Sequence, residues 1–123
     1  MATGCTETKD PLRVVPNNEG FHFYTAIGHP CGISCTSLGE FANALQYLCS
    51  EAIIFHFTRG DFQKWIHEVI GDEELARRLD EIRLCSRQLE ADCCRKELVE
   101  TIRIRILQLE VDRGPPCFGA ETK

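Results

Sequence analysis

The chain of 123 residues is 43% hydrophobic and 27% charged, which is the ordinary balance of one globular domain. Its net charge of −5 at pH 7 argues against nucleic acid as a partner. No apolar run approaches the roughly 20 residues of a membrane span, so we expect no direct membrane insertion. The N-terminus, MATGCTETKD, lacks the basic flank and apolar segment of a signal peptide, which predicts a cytoplasmic protein.

The distribution of prolines and polar residues predicts one folded unit between two tails. We expect flexible tails at 1–19 and 112–123. The single globular domain is predicted at 20–111, and Gly20 would open it.

The first elements of the domain are predicted to form a β-hairpin. Residues 21–27 alternate large apolar side chains with polar ones, a period of two that is typical of a strand. The segment 28–32, GHPCG, is predicted to be the turn, and 33–36 a short second strand. A hairpin of this size is not stable alone, so we expect it to pack on helices.

Two helices are predicted to follow the hairpin. Ser37 and Glu40 have the spacing of a capping box, which predicts a helix that ends at Cys49. Ser50 could cap a second, shorter helix that runs to Arg59. The β-branched residues of that second segment would also suit a strand, and the sequence leaves both possibilities open.

The next helix carries the only tryptophan of the chain. Asp61 is placed to act as its N-cap, and Phe62 and Trp65 lie on its apolar face. Gly71 is predicted to end this helix and Asp72 to cap the following one. The short link between the two helices predicts that they are neighbours.

The last helix is predicted to begin after an N-cap at Asp92, to run to about Glu110, and to be apolar on two opposite sides. Such a helix is either central, with its second side covered by the hairpin of the domain, or it has a partner protein or a second copy of the chain, as in a homodimer, on that side. The first side is Leu98, Ile102, Ile106 and Leu109, and the second, a predicted docking surface, is Ile104, Leu107 and Val111. Together these elements predict a mostly helical α+β fold in which an N-terminal β-hairpin packs on four or five helices.

Several segments resemble an archaeal domain family of unknown function, numbered 5752, between Phe21 and Leu109. They are FHFY (21–24), the turn at Gly32, SLGEF (37–41), and above all FHFTRGDFQKWI (55–66) with GDEELARRL (71–79). The resemblance implies an archaeal, cytoplasmic, mostly helical module and brings no activity with it. Its central motif comprises His56, Asp61, Phe62 and Trp65.

His56 and Asp61 have two alternative interpretations. They could form an acid–base pair, but no Ser or Cys nucleophile at a fixed spacing and no motif of known mechanism accompanies them. The interpretation that the sequence favours is structural, with His56 bonded to a carbonyl or carboxylate, Asp61 as a cap and Trp65 in the core. We therefore expect that the protein is not an enzyme.

The chain has eight cysteines, and three of them suggest a metal site. Cys31, Cys35 and Cys49 could supply soft ligands for zinc or an iron–sulfur cluster, with His22 or His29 as a fourth ligand. Only one closely spaced ligand pair is present, and the spacings typical of iron–sulfur proteins are missing. The alternative is that these cysteines are small buried side chains that remain reduced in the cytoplasm.

Cys93 and Cys94 are candidates for redox chemistry. If Asp92 is the cap, both thiols lie in the first helical turn, where free N–H groups, Arg95 and Lys96 would lower their pKa. The thiolate is the form that oxidises or exchanges. The alternative is that one thiol packs inward and the other has no role. Cys31 and Cys35 are further redox candidates.

The function predicted from these features is that of a small adaptor or regulatory protein that docks on a larger protein complex, with cysteines that make docking sensitive to redox state. The archaeal setting implied by the resemblance suggests an oxygen-sensitive client, such as a membrane-associated methyltransferase or an iron–sulfur enzyme. Two alternatives stay open. One is a metal-binding module for zinc or an iron–sulfur cluster, and the other is an enzyme that works through Cys93 or Cys94.

Overall fold

The computed structural model describes residues 10–85 and 90–112. This part of the chain consists of an antiparallel hairpin followed by five α-helices, with a π-helical stretch directly after the third. The elements are β1 (Phe21–Ala26), β2 (His29–Cys35), α1 (Leu38–Tyr47), α2 (Ser50–Arg59), α3 (Asp61–Trp65), the π-helical stretch (Ile66–Ile70), α4 (Glu73–Cys85) and α5 (Ala91–Asp112). The predicted fold class is confirmed. None of the helices in the described residues is long and apolar enough to cross a membrane.

The second strand of the hairpin begins earlier than predicted. The turn is Ile27–Gly28 alone, and β2 starts at the next residue, so the predicted turn at 28–32 is too long and the predicted strand at 33–36 starts too late. Gly28 has a φ of 80° at the second turn position, a conformation that glycine adopts without steric cost. Gly32, with a φ of 79°, lies where the pairing register shifts, so it belongs to a bulge inside the strand rather than to the turn.

The apolar face of the hairpin forms one wall of the core, as the alternation in the sequence predicted. Phe21 and Phe23 of β1 are 7% and 1% exposed. The centroid of the Phe21 ring lies 5.8 Å from that of Phe41 in α1 and 5.4 Å from that of Phe62 in α3. Trp65 joins this cluster, with its ring centroid 5.8 Å from that of Phe21. The hairpin is therefore held to the helices by packed aromatic rings.

The capping box at the start of α1 is confirmed, with one change of partner. The Ser37 hydroxyl accepts a hydrogen bond from the N–H of Glu40 at 3.2 Å. The Glu40 carboxylate accepts from the N–H of Thr36 at 2.8 Å, one residue before the expected position. The helix ends at Tyr47, before the predicted end at Cys49.

The helix predicted from Ser50 to Arg59 is confirmed as α2, so the strand alternative is excluded for this segment. Its predicted cap is wrong, because Ser50 is the first helical residue and Cys49 occupies the N-cap position without a side-chain hydrogen bond. Gly60, with a φ of 79°, ends α2 and precedes α3. Asp61 is the first residue of α3 and forms no capping hydrogen bond, so its predicted role as N-cap is wrong. The reason is that its carboxylate is directed to His56 instead.

The predicted break between the third and fourth helices is confirmed. Gly71, with a φ of 87°, ends the π-helical stretch. Asp72 caps α4, because its Oδ1 accepts a hydrogen bond from the N–H of Leu75 at 3.2 Å. The same buried carboxylate accepts two hydrogen bonds from Arg105 of α5, at 2.8 and 3.0 Å. Asp72 therefore both starts α4 and joins it to α5.

The folded part of the chain begins before Gly20, where the sequence predicted the end of a tail. Val15 is 3% exposed and packs in the core. The guanidinium of Arg13 donates to two backbone oxygens at the end of the π-helical stretch. Residues 10–19 are thus packed on the domain, because a buried valine and an arginine bound to carbonyl groups hold them there. The rest of this predicted tail, 1–9, lies outside the described residues.

The last helix begins at Ala91, so Asp92 is a residue of its first turn and not its N-cap. The inward side agrees with the prediction, since three of its four residues are buried and the fourth is partly buried. These are Leu98, Ile102 and Leu109, with Ile106 partly buried. The connection at 86–89 and the predicted C-terminal tail after Asp112 lie outside the described residues.

Candidate functional site

The central motif is organised around the side chain of His56, which projects from α2 and is 4% exposed. Its Nε2 accepts a hydrogen bond from the N–H of Tyr24 in β1, at 2.8 Å. Its Nδ1 lies 2.8 Å from Oδ2 of Asp61. A backbone N–H can only donate, so Nε2 must hold a lone pair, and the ring proton is on Nδ1, where it is donated to Asp61. The imidazole therefore connects the hairpin, α2 and α3.

Burial is the main influence on the protonation of His56. Burial lowers the pKa of the imidazole, against the opposite effect of the Asp61 carboxylate. The neutral ring is thus favoured, and both of its nitrogens are already used in hydrogen bonds. General acid–base catalysis requires a ring nitrogen that can reach a substrate. The geometry therefore favours the structural interpretation of this residue over the acid–base one.

The side chains of Arg59 and Trp65, in the same segment, are also held in place by polar contacts. The Nε of Arg59 lies 3.2 Å from Oδ2 of Asp61, and its guanidinium carbon lies 4.7 Å from the centroid of the Phe55 ring. The indole N–H of Trp65 donates to the backbone oxygen of Glu19 at 2.8 Å. Trp65 is 7% exposed, in agreement with its predicted place in the core.

These fixed side chains form one side of an open pocket of about 500 Å³, between the hairpin and the helices α2 and α3. This volume is in the range of small-molecule sites. Four aromatic residues besides His56 line the pocket and provide apolar walls, and four ionisable side chains that do not contact His56 provide polar groups. The walls are Phe21, Tyr24, Phe55 and Trp65, and the polar groups are His22, Arg59, Lys64 and Glu68.

The sequence analysis did not identify this pocket. Its lining combines residues of β1 with residues more than 30 positions later, which are brought together by the packing of Phe21 on the helices and by the bond between Tyr24 and His56. One signal of the pocket was present in the sequence. Phe55 and Arg59 are four residues apart, a helical spacing that lets the guanidinium of Arg59 stack on the ring of Phe55.

The cysteines of the proposed metal site do not assemble as expected. Cys35 is 2% exposed, and burial raises the pKa of its thiol to about 12. Burial and the nearby Cys49 thiol both raise the pKa of Cys31. Residues 10–85 and 90–112 contain no group of three or more His, Cys, Asp or Glu side chains that could hold a metal ion, with His22 and His29 included.

The two adjacent cysteines have opposite environments. Cys94 is buried, and burial raises the pKa of its thiol. Cys93 is exposed, and its Sγ lies 3.0 Å from Oε1 of Glu90. A hydrogen bond to this carboxylate raises the pKa of Cys93, so the predicted lowering is wrong. The physical reason is that the negative charge of the Glu90 carboxylate disfavours a second negative charge on the thiol.

The predicted docking surface is exposed. Ile104, Leu107 and Val111 are 52%, 62% and 75% exposed, on the side of α5 opposite the core. We call these three residues the outer stripe. Arg103 on one edge of the stripe donates to Asn43 of α1, and Arg78 of α4 donates to Gln108 on the other edge. The outer stripe therefore lies between two polar margins.

Comparison with known proteins gives one match. The model of a family of unknown function, DUF5752, matches residues 3–103. No curated protein and no solved structure matches the chain. The matched region contains the hairpin, α1 to α4 and most of α5, including the complete His56 motif. The chain therefore belongs to the DUF5752 family.

Proposed function

We propose that the protein is a small adaptor that docks on a larger protein complex through the outer stripe of α5. The observation that carries this proposal is the exposure of Ile104, Leu107 and Val111, each more than half exposed on one helical face. Apolar side chains that are contiguous on a surface usually mark an interaction site. The other side of α5 is already buried in the domain, so the outer stripe is the face left for a partner.

The spacing within the outer stripe suits a helix of the partner. Ile104, Leu107 and Val111 are separated by three and four residues, the pattern with which one helix packs its side chains between those of another. The polar residues beside the stripe, Arg103 and Gln108, would form the rim of such an interface. The proposed contact is therefore a short helix-to-helix interface with an apolar centre.

The state of the reactive side chains supports binding over catalysis. Both ring nitrogens of His56 are engaged, and the thiols of Cys93 and Cys94 have raised pKa values. A thiol that stays protonated reacts slowly with oxidants and disulfides. We therefore propose that the apolar contact of the outer stripe carries the docking, and the predicted dependence of docking on the redox state of the cysteines stays a prediction.

The setting of the proposed adaptor follows from the family resemblance alone. We propose that it acts in the cytoplasm of an archaeon, on an oxygen-sensitive enzyme complex such as a membrane-associated methyltransferase or an iron–sulfur enzyme. A second copy of the chain is the other occupant that the outer stripe would fit, as a homodimer.

The substitution Leu107→Asp tests this proposal, because a charge at the centre of the stripe would have to be buried in the interface. Tagged protein would be recovered from a native lysate, and the co-purified partner quantified by mass spectrometry. We expect at least about a tenfold loss of the partner, the effect of one central interface residue. Light scattering of the purified protein would identify a homodimer instead.

The matched control is Ile27→Asp, which places the same charge at a residue that is 79% exposed in the hairpin turn. This variant should recover as much partner as the wild type. Equal recovery with Leu107→Asp and with the wild type would exclude the outer stripe as the interface.

A further inference from the structure

We propose that the pocket between the hairpin and α2–α3 binds a small organic anion, an aromatic ring that carries a carboxylate. This inference is independent of the adaptor proposal, because the pocket and the outer stripe share no residue. It rests on the shape of the pocket walls, on the hydrogen bonds that fix them, and on two cationic groups.

The apolar walls of the pocket suit a flat ring. Tyr24 and Phe55 are partly exposed, and Trp65 presents only a small part of its surface. Two donors of these residues are already used, since the backbone N–H of Tyr24 is bound to His56 and the indole N–H of Trp65 to the backbone oxygen of Glu19. Aromatic walls of this kind favour stacked or edge-on contact with another ring.

Arg59 is the first cationic group and is held in position before any ligand arrives. Its Nε contacts Asp61 at 3.2 Å and its guanidinium carbon lies 4.7 Å from the centroid of the Phe55 ring. Its two terminal nitrogens form no hydrogen bond within the described residues, so they can present a fork to a carboxylate. A group that is already fixed loses little conformational freedom on binding.

Lys64 is the second cationic group. It lines the same pocket and forms no ion pair with a carboxylate of the described residues. Of the two acidic residues in the lining, Asp61 already contacts His56 and Arg59, whereas Glu68 has no ion pair with another described residue. The ionisable groups that face a ligand are therefore two cations, one opposing carboxylate and the imidazole of His22.

The experiment uses the fluorescence of Trp65, which is the only tryptophan and lines the pocket. The full-length protein would be titrated with 3-phenylpropionate, with its neutral analogue 3-phenylpropionamide, and with the cation 3-phenylpropylamine. We expect a saturable change with the acid and about tenfold weaker binding of the amide, the effect of losing one charge-assisted contact. The amine should bind no better than the amide.

Three variants test the assignment of the charges. Lys64→Gln should weaken binding of the acid several-fold, and Glu68→Gln should strengthen it, because the one opposing carboxylate is removed. Lys96→Gln, which changes an exposed lysine of α5 outside the pocket, should leave binding unchanged. Equal unfolding midpoints would establish that each variant is folded.

Three results would each overturn the proposal. They are the absence of a saturable response to the acid in the wild-type protein, equal affinity for the acid and the amide, and unchanged affinity in Lys64→Gln. A loss of acid binding in Lys64→Gln together with normal partner recovery would separate this site from the outer stripe.

Discussion

His56 occupies a position in which every polar atom of its side chain has a partner. Its ring is surrounded by aromatic residues, with centroids 4.9 Å from Phe21 and 5.0 Å from Phe55. If His56 became a charged imidazolium, its Nε2 would carry a proton and could no longer accept the hydrogen bond from the N–H of Tyr24. The residue therefore acts as a neutral link whose contribution depends on pH.

The lowered pKa of His56 predicts how stability changes with pH. The unfolded chain takes up a proton near the ordinary histidine pKa of about 6.5, whereas the folded chain resists it. The free energy of unfolding should therefore be highest above this pH and fall as the pH decreases toward the lowered pKa. Urea unfolding at pH 7.5 and pH 5 would measure the fall, which should be smaller in His56→Gln. An equal fall in both proteins would contradict the proposed neutral state.

Gln63 is the opposite case, because it is 8% exposed and neither its amide oxygen nor its amide nitrogen has a hydrogen-bond partner among the described residues. A buried polar group without a partner costs about 1 to 3 kcal/mol. Gln63→Met keeps the shape and removes the polar atoms, so the free energy of unfolding should rise by about 1 kcal/mol. Gln108→Met, at an exposed position, is the control and should not increase stability. A fall in stability with Gln63→Met would mean that the amide has a favourable role.

At the scale of elements, the sequence predicted helix ends correctly where the residues that form them lie a few positions apart. The capping box of α1, the glycine that precedes α4 and the cap at Asp72 depend on residues a few positions apart, and all are confirmed. Asp61 failed as a predicted cap because its carboxylate serves a residue of the preceding helix. Gly32 failed as a turn residue because a bulge can also use its positive φ.

The junction between α4 and α5 depends on the ion pair of buried Asp72 with partly buried Arg105, which could not be predicted from the sequence. Asp72→Asn retains an N-cap but removes the charge, so it isolates the ion pair from the capping role. Loss of the partner charge should lower the free energy of unfolding by about 3 kcal/mol. Asp92→Asn is the matched control, since its carboxylate is exposed and 4.0 Å from Arg95, and it should cost little. Similar unfolding midpoints for the two variants would contradict this account.

At the scale of the whole molecule, the two proposed sites differ in how far the sequence predicted them. The outer stripe could be predicted because it lies on one helix, whose period is fixed, and its exposure agrees with that prediction. The pocket could not, because its lining depends on how the hairpin rests on α2 and α3. Of the two thiol environments, the burial of Cys94 agrees with the predicted alternative in which one thiol packs inward, whereas the contact between Cys93 and Glu90 was not predicted.

The most direct test of the central claim is a crosslink from the outer stripe in living cells. A photo-reactive amino acid would replace Leu107 in one protein and Ile27 in another, and adducts would be identified by mass spectrometry. If the protein docks through the outer stripe, we expect a covalent adduct with one partner protein from position 107 and none from position 27. An adduct from position 27 with none from position 107 would contradict docking through α5.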